Sequence, residues 1–419
     1  MAEIKELRCV VGGCTYAGDE VTYTCPEHGE LGTLDILYDY SALSASLDRD
    51  ALLASRQANC WRYKALLPIA PESRAPALDV GWTPLYPAPR VAQSLGLDRA
   101  WIKDDGANPT GSLKDRASAL VLARALEQRI TTVSTASTGN AAAALAGLGA
   151  AVPEIDIVIF VPHSAPEAKV AQLLVYGATV LLVEGSYDDA FDLCMAYCAA
   201  EGWYSRNTGV NPFTTEGKKT AALEIAEQMR WQAPDVVAVS VGDGSIISGL
   251  HKGFSDLLRL GWIEKLPRLI GVQAAGSAVL ARAWQGGLEA TAISRAPATT
   301  VADSIASELP RDRAKALRAA RASDGAFVTV SDADILAAIP QLAQLSGVFA
   351  EPAAAATFAG ARQAVASGLI DKEESLCLLI TGNGLKDVAR ARQAVSGGIR
   401  VAPTVDAARA ALNRARAHG

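Results

Sequence analysis

Through the middle of the chain, short apolar runs alternate with longer segments whose apolar residues recur every three or four positions. The runs at 131–135, 155–161 and 179–183, rich in Val, Ile, Leu and Thr, read as strands, and the segments 141–149, 165–176 and 187–201 read as helices. A second set follows, with helix 217–231, strand 236–241, helix 248–260 and strand 268–273, then helices 333–344 and 353–366 leading into the wholly apolar strand 376–380. Such alternation implies an α/β fold with mostly parallel sheets and helices on both faces. Upstream, residues 1–80 read as an irregular leader, with a short strand at 34–40 and a helix at 44–54. Residues 81–86 read as a turn and then an edge strand, since proline is tolerated at a strand start or edge, and strand 100–104 follows. The last thirty or so residues, Ala-rich with scattered Arg, read as an amphipathic helix packed on the surface.

Strand 100–104 feeds the turn Asn108-Pro109-Thr110-Gly111-Ser112-Leu113-Lys114-Asp115-Arg116, directly before a run of strong helix formers. Lys114 therefore sits at a helix start, where the dipole disfavours a cation. An amine in positive potential loses its proton more easily, and a neutral amine can form a Schiff base with an aldehyde. The bland alternative is a solvated lysine after a turn.

Composition narrows the field. With 419 residues, half of them hydrophobic, the chain is long enough for two domains or for one large domain with a mobile lobe. Its net charge of −6 and the absence of a basic block argue against nucleic acid as a partner. The N-terminus lacks the apolar core of a secretion signal and no later run reads as a membrane span, so the expected location is cytoplasmic. Among seven cysteines, Cys9, Cys14 and Cys25 cluster with His28 in two short knuckles. Three thiolates and an imidazole make a soft, closed set of the kind zinc occupies, the other reading being cysteines that simply pack. Cys60, Cys194, Cys198 and Cys377 lie in apolar surroundings and read as core.

Three loops each follow a strand at its C-terminal end, where open α/β sheets place ligands. Ser137-Thr138-Gly139-Asn140 brings hydroxyls, backbone N–H groups and an amide to a helix N-terminus, which can bind a carboxylate or a phosphate or serve as an ordinary cap. Gly242-Asp243-Gly244-Ser245 opens another helix, and its glycines let the backbone approach an anion. Thr381-Gly382-Asn383-Gly384 follows the buried strand, with glycine turn chemistry the equal alternative. An amine for an aldehyde, a cradle for a phosphate and polar groups for a ring are what pyridoxal phosphate needs.

Asn-Pro-Thr-Gly-Ser-Leu-Lys-Asp-Arg, Ala-Ser-Thr-Gly-Asn, Val-Gly-Asp-Gly-Ser and Thr-Gly-Asn-Gly-Leu-Lys-Asp together resemble the threonine synthases, within the fold type II pyridoxal-phosphate enzymes that include tryptophan synthase β. The resemblance runs from Trp82 to about Asp387. It implies a two-lobed enzyme, with the cysteine-bearing leader at 1–80, a large cofactor-binding domain at 81–117 and 216–387, a small mobile lobe at 118–215 and a C-terminal helical segment at 388–419. It also implies roles. Lys114 holds the cofactor and shuttles protons, Asn140 bonds the ring hydroxyl, Gly242, Asp243, Gly244 and Ser245 cradle its phosphate, and Thr381 meets the pyridine nitrogen. Ser137, Thr138 and Gly139 hold the substrate carboxylate. The implied activity is that of a lyase making threonine and phosphate from O-phosphohomoserine and water, in a homodimer. One departure stands out. Where these synthases carry a serine and an arginine in Asn-Ser-x-Asn-Pro-x-Arg, this chain has Gly209 and Thr214, leaving Lys218, Lys219 or Arg206 to take the substrate phosphate. The alternative in the same fold is a β-elimination or β-replacement enzyme, such as a serine/threonine dehydratase or a cysteate synthase acting on phosphoserine.

Overall fold

The computed structural model describes residues 4–418; residues 1–3, which begin the leader, and Gly419, which ends the tail, lie outside the described residues. Two mostly parallel sheets carry the chain. The larger runs in the order Ala326–Val330, Arg268–Ala274, Val236–Ser240, Ser375–Ile380, Arg99–Asp104, Leu85–Pro87, with only the last, proline-bearing edge strand antiparallel. Val236–Ser240 and Ser375–Ile380 sit at its centre and are buried at every position, which explains why both read as continuous apolar runs rather than alternating ones. The smaller sheet is parallel throughout, in the order Thr179–Val183, Asp156–Pro162, Thr132–Ala136, Tyr204–Ser205. Among the described residues no helix is long and apolar enough to cross a membrane.

The helix Lys114–Glu127 packs against Asn140–Gly149 and Phe213–Gln228. Phe213–Gln228 is buried from Phe213 to Glu227 on every side, although it carries Glu216, Lys218, Lys219, Glu224 and Glu227. Those charges are tolerated because they are bonded. Arg116 clamps Asp105, with Nε 2.6 Å from Oδ2, and Glu224, with Nη2 2.8 Å from Oε2. Lys103 reaches Glu224 at 2.6 Å, and Arg62 holds Glu227 with Nε 3.0 Å from Oε2.

The leader is more ordered than its sequence suggests. Ile4–Cys9, Thr15–Tyr16 and Leu34–Tyr38 form an antiparallel sheet. Leu34–Tyr38 stops short of residue 40 because the Asp39 carboxylate accepts from the amides of Ser41 and Ala42 and starts the helix Tyr40–Ser46. The helix read at 44–54 is in fact two, the second being Arg49–Ala54 capped by Asp48. Buried polar groups fasten the leader to the body. Tyr38 bonds Glu216, Tyr40 donates to Asp256 at 2.7 Å, and Lys315 donates to the Leu34 carbonyl at 2.7 Å. The tail also differs from expectation, forming two helices, Val388–Gln393 and Val405–His418, separated by a stretch containing Gly397, Gly398 and Pro403.

Arg116→Met should cost about 3–5 kcal/mol of stability, because it strands Asp105 and half of Glu224 in the core. Equilibrium urea unfolding of the two proteins checks this, and a loss below about 1 kcal/mol would mean that the carboxylates find other partners.

Candidate active site

Lys114 opens its helix two residues before the clamped Arg116, so the ion network that fixes the guanidinium also fixes the amine. The turn before it is laced to the loop after the central strand. Leu113 N donates to Thr381 O at 2.9 Å, Asn383 N donates to Gly111 O at 2.9 Å, and Ser112 pairs with Gly382. Gly111 has φ +82°, a backbone conformation that disfavours a side chain. Asp115 folds back on the turn and accepts from Thr110 N at 2.7 Å.

These elements wall a cavity of about 830 Å³ lined by Lys114, Ser137, Thr138, Gly139, Asn140, Gly242, Asp243, Gly244, Ser245 and Thr381, which lie far apart in the chain. Gly242 and Gly244 are closed to larger residues from behind. A Cβ at 242 would fall 2.8 Å from Ile305 Cα, and one at 244 would fall 2.8 Å from Ala316 Cβ, with φ already at +90°. Gly244 caps the fifteen-residue helix Ser245–Arg259, so free amides and the positive dipole end meet the cavity there. Across it, Asn140 Nδ2 donates to both oxygens of Glu351, at 2.9 and 3.1 Å.

Buried cations stand at the cavity on hydroxyl and carbonyl partners. Arg206 donates to Ser118 Oγ at 3.0 Å, Thr208 Oγ1 at 3.0 Å and the Lys114 carbonyl at 3.4 Å. Lys218 donates to Ser245 Oγ at 2.8 Å. Among the described residues neither of them, nor Lys114, makes an ion pair. Burial, then the Arg206 charge, pulls the Lys114 amine down to about 8. Burial pulls the Arg206 guanidinium to about 10, and burial with Arg206 and Lys114 holds Lys218 well below the ordinary lysine range. Buried cations that make no ion pair among the described residues, beside a glycine cradle, fit a phosphorylated aldehyde cofactor.

The model of the pyridoxal-phosphate dependent enzyme family matches residues 77–382. Curated threonine synthases match nearly end to end. That of Methanosarcina acetivorans is 39% identical over 91% of this chain and 92% of its own, and that of Methanocaldococcus jannaschii is 37% identical over 94% and 96%. The chain belongs to the threonine synthases of the pyridoxal-phosphate-dependent enzyme family. Solved structures share the fold. Processed threonine deaminase isoform 2 of Solanum lycopersicum superposes with a TM-score of 0.63 at 21% identity, over 75% of this chain and 83% of that one. Diaminopropionate ammonia lyase of Escherichia coli gives 0.64 at 19%, over 82% and 92%.

Against the threonine synthase motif, the structure sorts the three substitute cations. Lys219 points away from the cavity, with its amine 2.8 Å from Asp256 beside the leader. Arg206 lines the cavity, and Lys218 reaches it through Ser245. Thr214 is buried and spends its hydroxyl on Asn211 O at 2.8 Å. At Gly209, with φ +74°, a Cβ would stand 2.4 Å from Arg311 Cβ, so a serine there would displace Arg311. The Arg311 guanidinium lies 3.5 Å from the Phe191 ring centroid in the cavity wall, and its nearest carboxylates, Glu30 and Asp188, are each 3.8 Å away. Arg311 and Glu351 escaped the sequence reading. Arg311 lies in no motif, and the only signal at Glu351 is its place before Pro352, which reads as a helix cap.

Below pH 8 the Lys114 amine is protonated and inert, and above it the free amine attacks aldehydes. Capture of added pyridoxal phosphate by the apoprotein should therefore rise with pH, half-maximal near 8. Arg206→Gln, by removing a neighbouring cation, should move that midpoint upward by about one unit. Absorbance stopped-flow between pH 6.5 and 10 measures both, and an unmoved midpoint would remove Arg206 from the account.

Proposed function

We propose that this chain converts O-phospho-L-homoserine and water to L-threonine and phosphate, by β,γ-elimination followed by addition of water at Cβ. The observation that carries the reading is that two arginines, Arg206 and Arg311, line the cavity in addition to the Lys218 amine that meets the cofactor cradle at Ser245. A substrate bearing its own phosphate needs such a receptor, and a neutral amino acid does not.

In this reading Lys114 holds the cofactor aldehyde, Gly242, Asp243, Gly244 and Ser245 with Lys218 hold its phosphate, Asn140 faces the ring hydroxyl and Thr381 the ring nitrogen. Bound there, pyridoxal phosphate supplies an electron sink that makes the substrate Cα–H acidic. The Lys114 amine, its proton affinity lowered to about 8 by burial and Arg206, takes the Cα proton in its neutral form and, once it has released that proton, takes one from Cβ. Ser137, Thr138 and Gly139, at a helix N-terminus, orient the substrate carboxylate. Arg311 and Arg206 neutralise the departing phosphate. Glu351, raised above the ordinary carboxylate range by burial, is bonded to Asn140 and holds that amide in place. Lys169 with Asp303, and Arg295 with Asp188, tie the 118–215 lobe to the rest across the cavity mouth. Release and re-formation of these exposed pairs would let the lobe open for substrate and close over it. We also read Cys9, Cys14, Cys25 and His28 as holding a structural zinc ion, and the assembly as the homodimer that the resemblance implies.

Purified protein with cofactor should release phosphate from O-phosphohomoserine with threonine as co-product. Ammonia release from threonine without phosphate release from O-phosphohomoserine would instead favour the dehydratase. Lys114→Ala should abolish both turnover and the visible absorbance of lysine-bound cofactor. Arg311→Ala should keep that absorbance and raise KM for the phosphorylated substrate about ten- to a hundredfold, the size of a lost charge-assisted hydrogen bond. Steady-state phosphate-release kinetics measure it, and an unchanged KM would assign the substrate phosphate to Arg206 alone.

A further inference from the structure

In the leader three thiols converge on one imidazole nitrogen. His28 Nδ1 lies 3.3 Å from Cys25 Sγ, 3.7 Å from Cys9 Sγ and 4.0 Å from Cys14 Sγ. The donor atoms of Cys9, Cys25 and His28 all fall within 4.8 Å of one another, as do those of Cys14, Glu27 and His28. A tetrahedral ion with metal–sulfur bonds of about 2.3 Å and metal–nitrogen bonds of about 2.0 Å holds such donors roughly 3.5–3.8 Å apart. The surroundings suit thiolates, because Gly12 N points at Cys9 Sγ from 3.5 Å and the Tyr16 hydroxyl lies 3.0 Å from Cys25 Sγ. Space is closed around the cluster as well. A Cβ at Gly12 would fall 2.1 Å from His28 Cε1, and one at Gly32 would fall 2.7 Å from Cys25 Cβ.

The loop that carries Cys25 and His28 is also a wall of the active-site cavity, which Tyr23, Thr24 and Glu30 line. Two residues before Cys25, the Tyr23 hydroxyl accepts from Ser205 N at 2.8 Å, and its ring stacks on Tyr204 with centroids 6.1 Å apart. Ser205 immediately precedes Arg206. Two residues after His28, Glu30 approaches Arg311 at 3.8 Å. Both cations assigned to the substrate phosphate are thus buttressed by residues flanking the thiol–imidazole cluster.

We infer that a thiophilic divalent cation on Cys9, Cys14, Cys25 and His28 holds this wall in place, so that affinity for the substrate's phosphate depends on a metal with no part in the chemistry. The inference rests on the proposed use of a phosphorylated substrate. The cofactor cradle at 242–245 lies on other elements, so metal loss should spare cofactor binding.

The test uses the holoenzyme. Elemental analysis should find about one zinc per chain. Stripping it with a thiol-compatible chelator, or substituting Cys14→Ser or Cys25→Ser, should leave the visible cofactor band in place and kcat within about twofold, while KM for O-phosphohomoserine rises about five- to twentyfold. Adding Zn²⁺ back to the stripped wild type should restore KM, and the wild-type arm needs no variant to fold. A wild type that contains no metal and takes up no Zn²⁺, a Cys9–Cys25 disulfide found by mass spectrometry, or metal loss with KM unchanged would each overturn the inference. If the wild type releases no phosphate from O-phosphohomoserine, it is the proposed reaction that has failed. The dissociation constant of inorganic phosphate, with and without metal, then replaces KM as the readout, and its independence of metal would be the overturning result.

Discussion

Arg116 is the fixed point of the candidate active site. Its guanidinium is out of water and bonded to Asp105 and Glu224, so neither it nor the residues beside it can shift without exposing uncompensated charge. Lys114 lies two residues away at the start of the same helix, and its position follows. The opposite anchor, Glu224, sits on the buried helix Phe213–Gln228, which also presents Lys218 to the Ser245 hydroxyl. One set of buried charges therefore aligns the amine that would meet an aldehyde with the loop that would hold its phosphate. The lacing of 111–113 to 381–383 brings the third loop to the same place.

What separates Lys114, Arg206 and Lys218 from the paired buried cations is that, among the described residues, they make no ion pair. Arg62 has Glu227, Lys103 has Glu224, and Lys219 and Lys252 share Asp256. Lys114, Arg206 and Lys218 are held instead by hydroxyls and carbonyls, and Arg311 by the face of Phe191 with two carboxylates at a distance. Cations kept in low dielectric without counter-charges are costly, and they are stable once anions arrive. The same imbalance lowers the proton affinity of Lys114. Anion binding there and the readiness of the amine to react would be one electrostatic property seen twice.

Glycine at 209 gives Arg311 the room it occupies, so the missing serine and the position of Arg311 are linked by a single contact. Thr214, turned inward to Asn211, is a helix-start residue with no part in the cavity.

The sequence by itself determined the α/β architecture, the helix start at Lys114 and the three glycine-bearing loops at strand ends, because periodicity, caps and turn residues are local properties. It also pointed to the family, through motifs whose spacing survives the replacement of individual residues. It did not reveal Arg311, Glu351 or the docking of the leader, and it merged two helices at 44–54 and in the tail. Those features depend on contacts between residues far apart in the chain. Only the tertiary structure decided which of Arg206, Lys218 and Lys219 faces the cavity, since adjacent lysines on a helix buried on all sides leave no polar face to read. Burial and the location of the nearest carboxylate, neither of them written in local sequence, turn one lysine into a structural ion pair and leave its neighbour on a serine hydroxyl at the cavity.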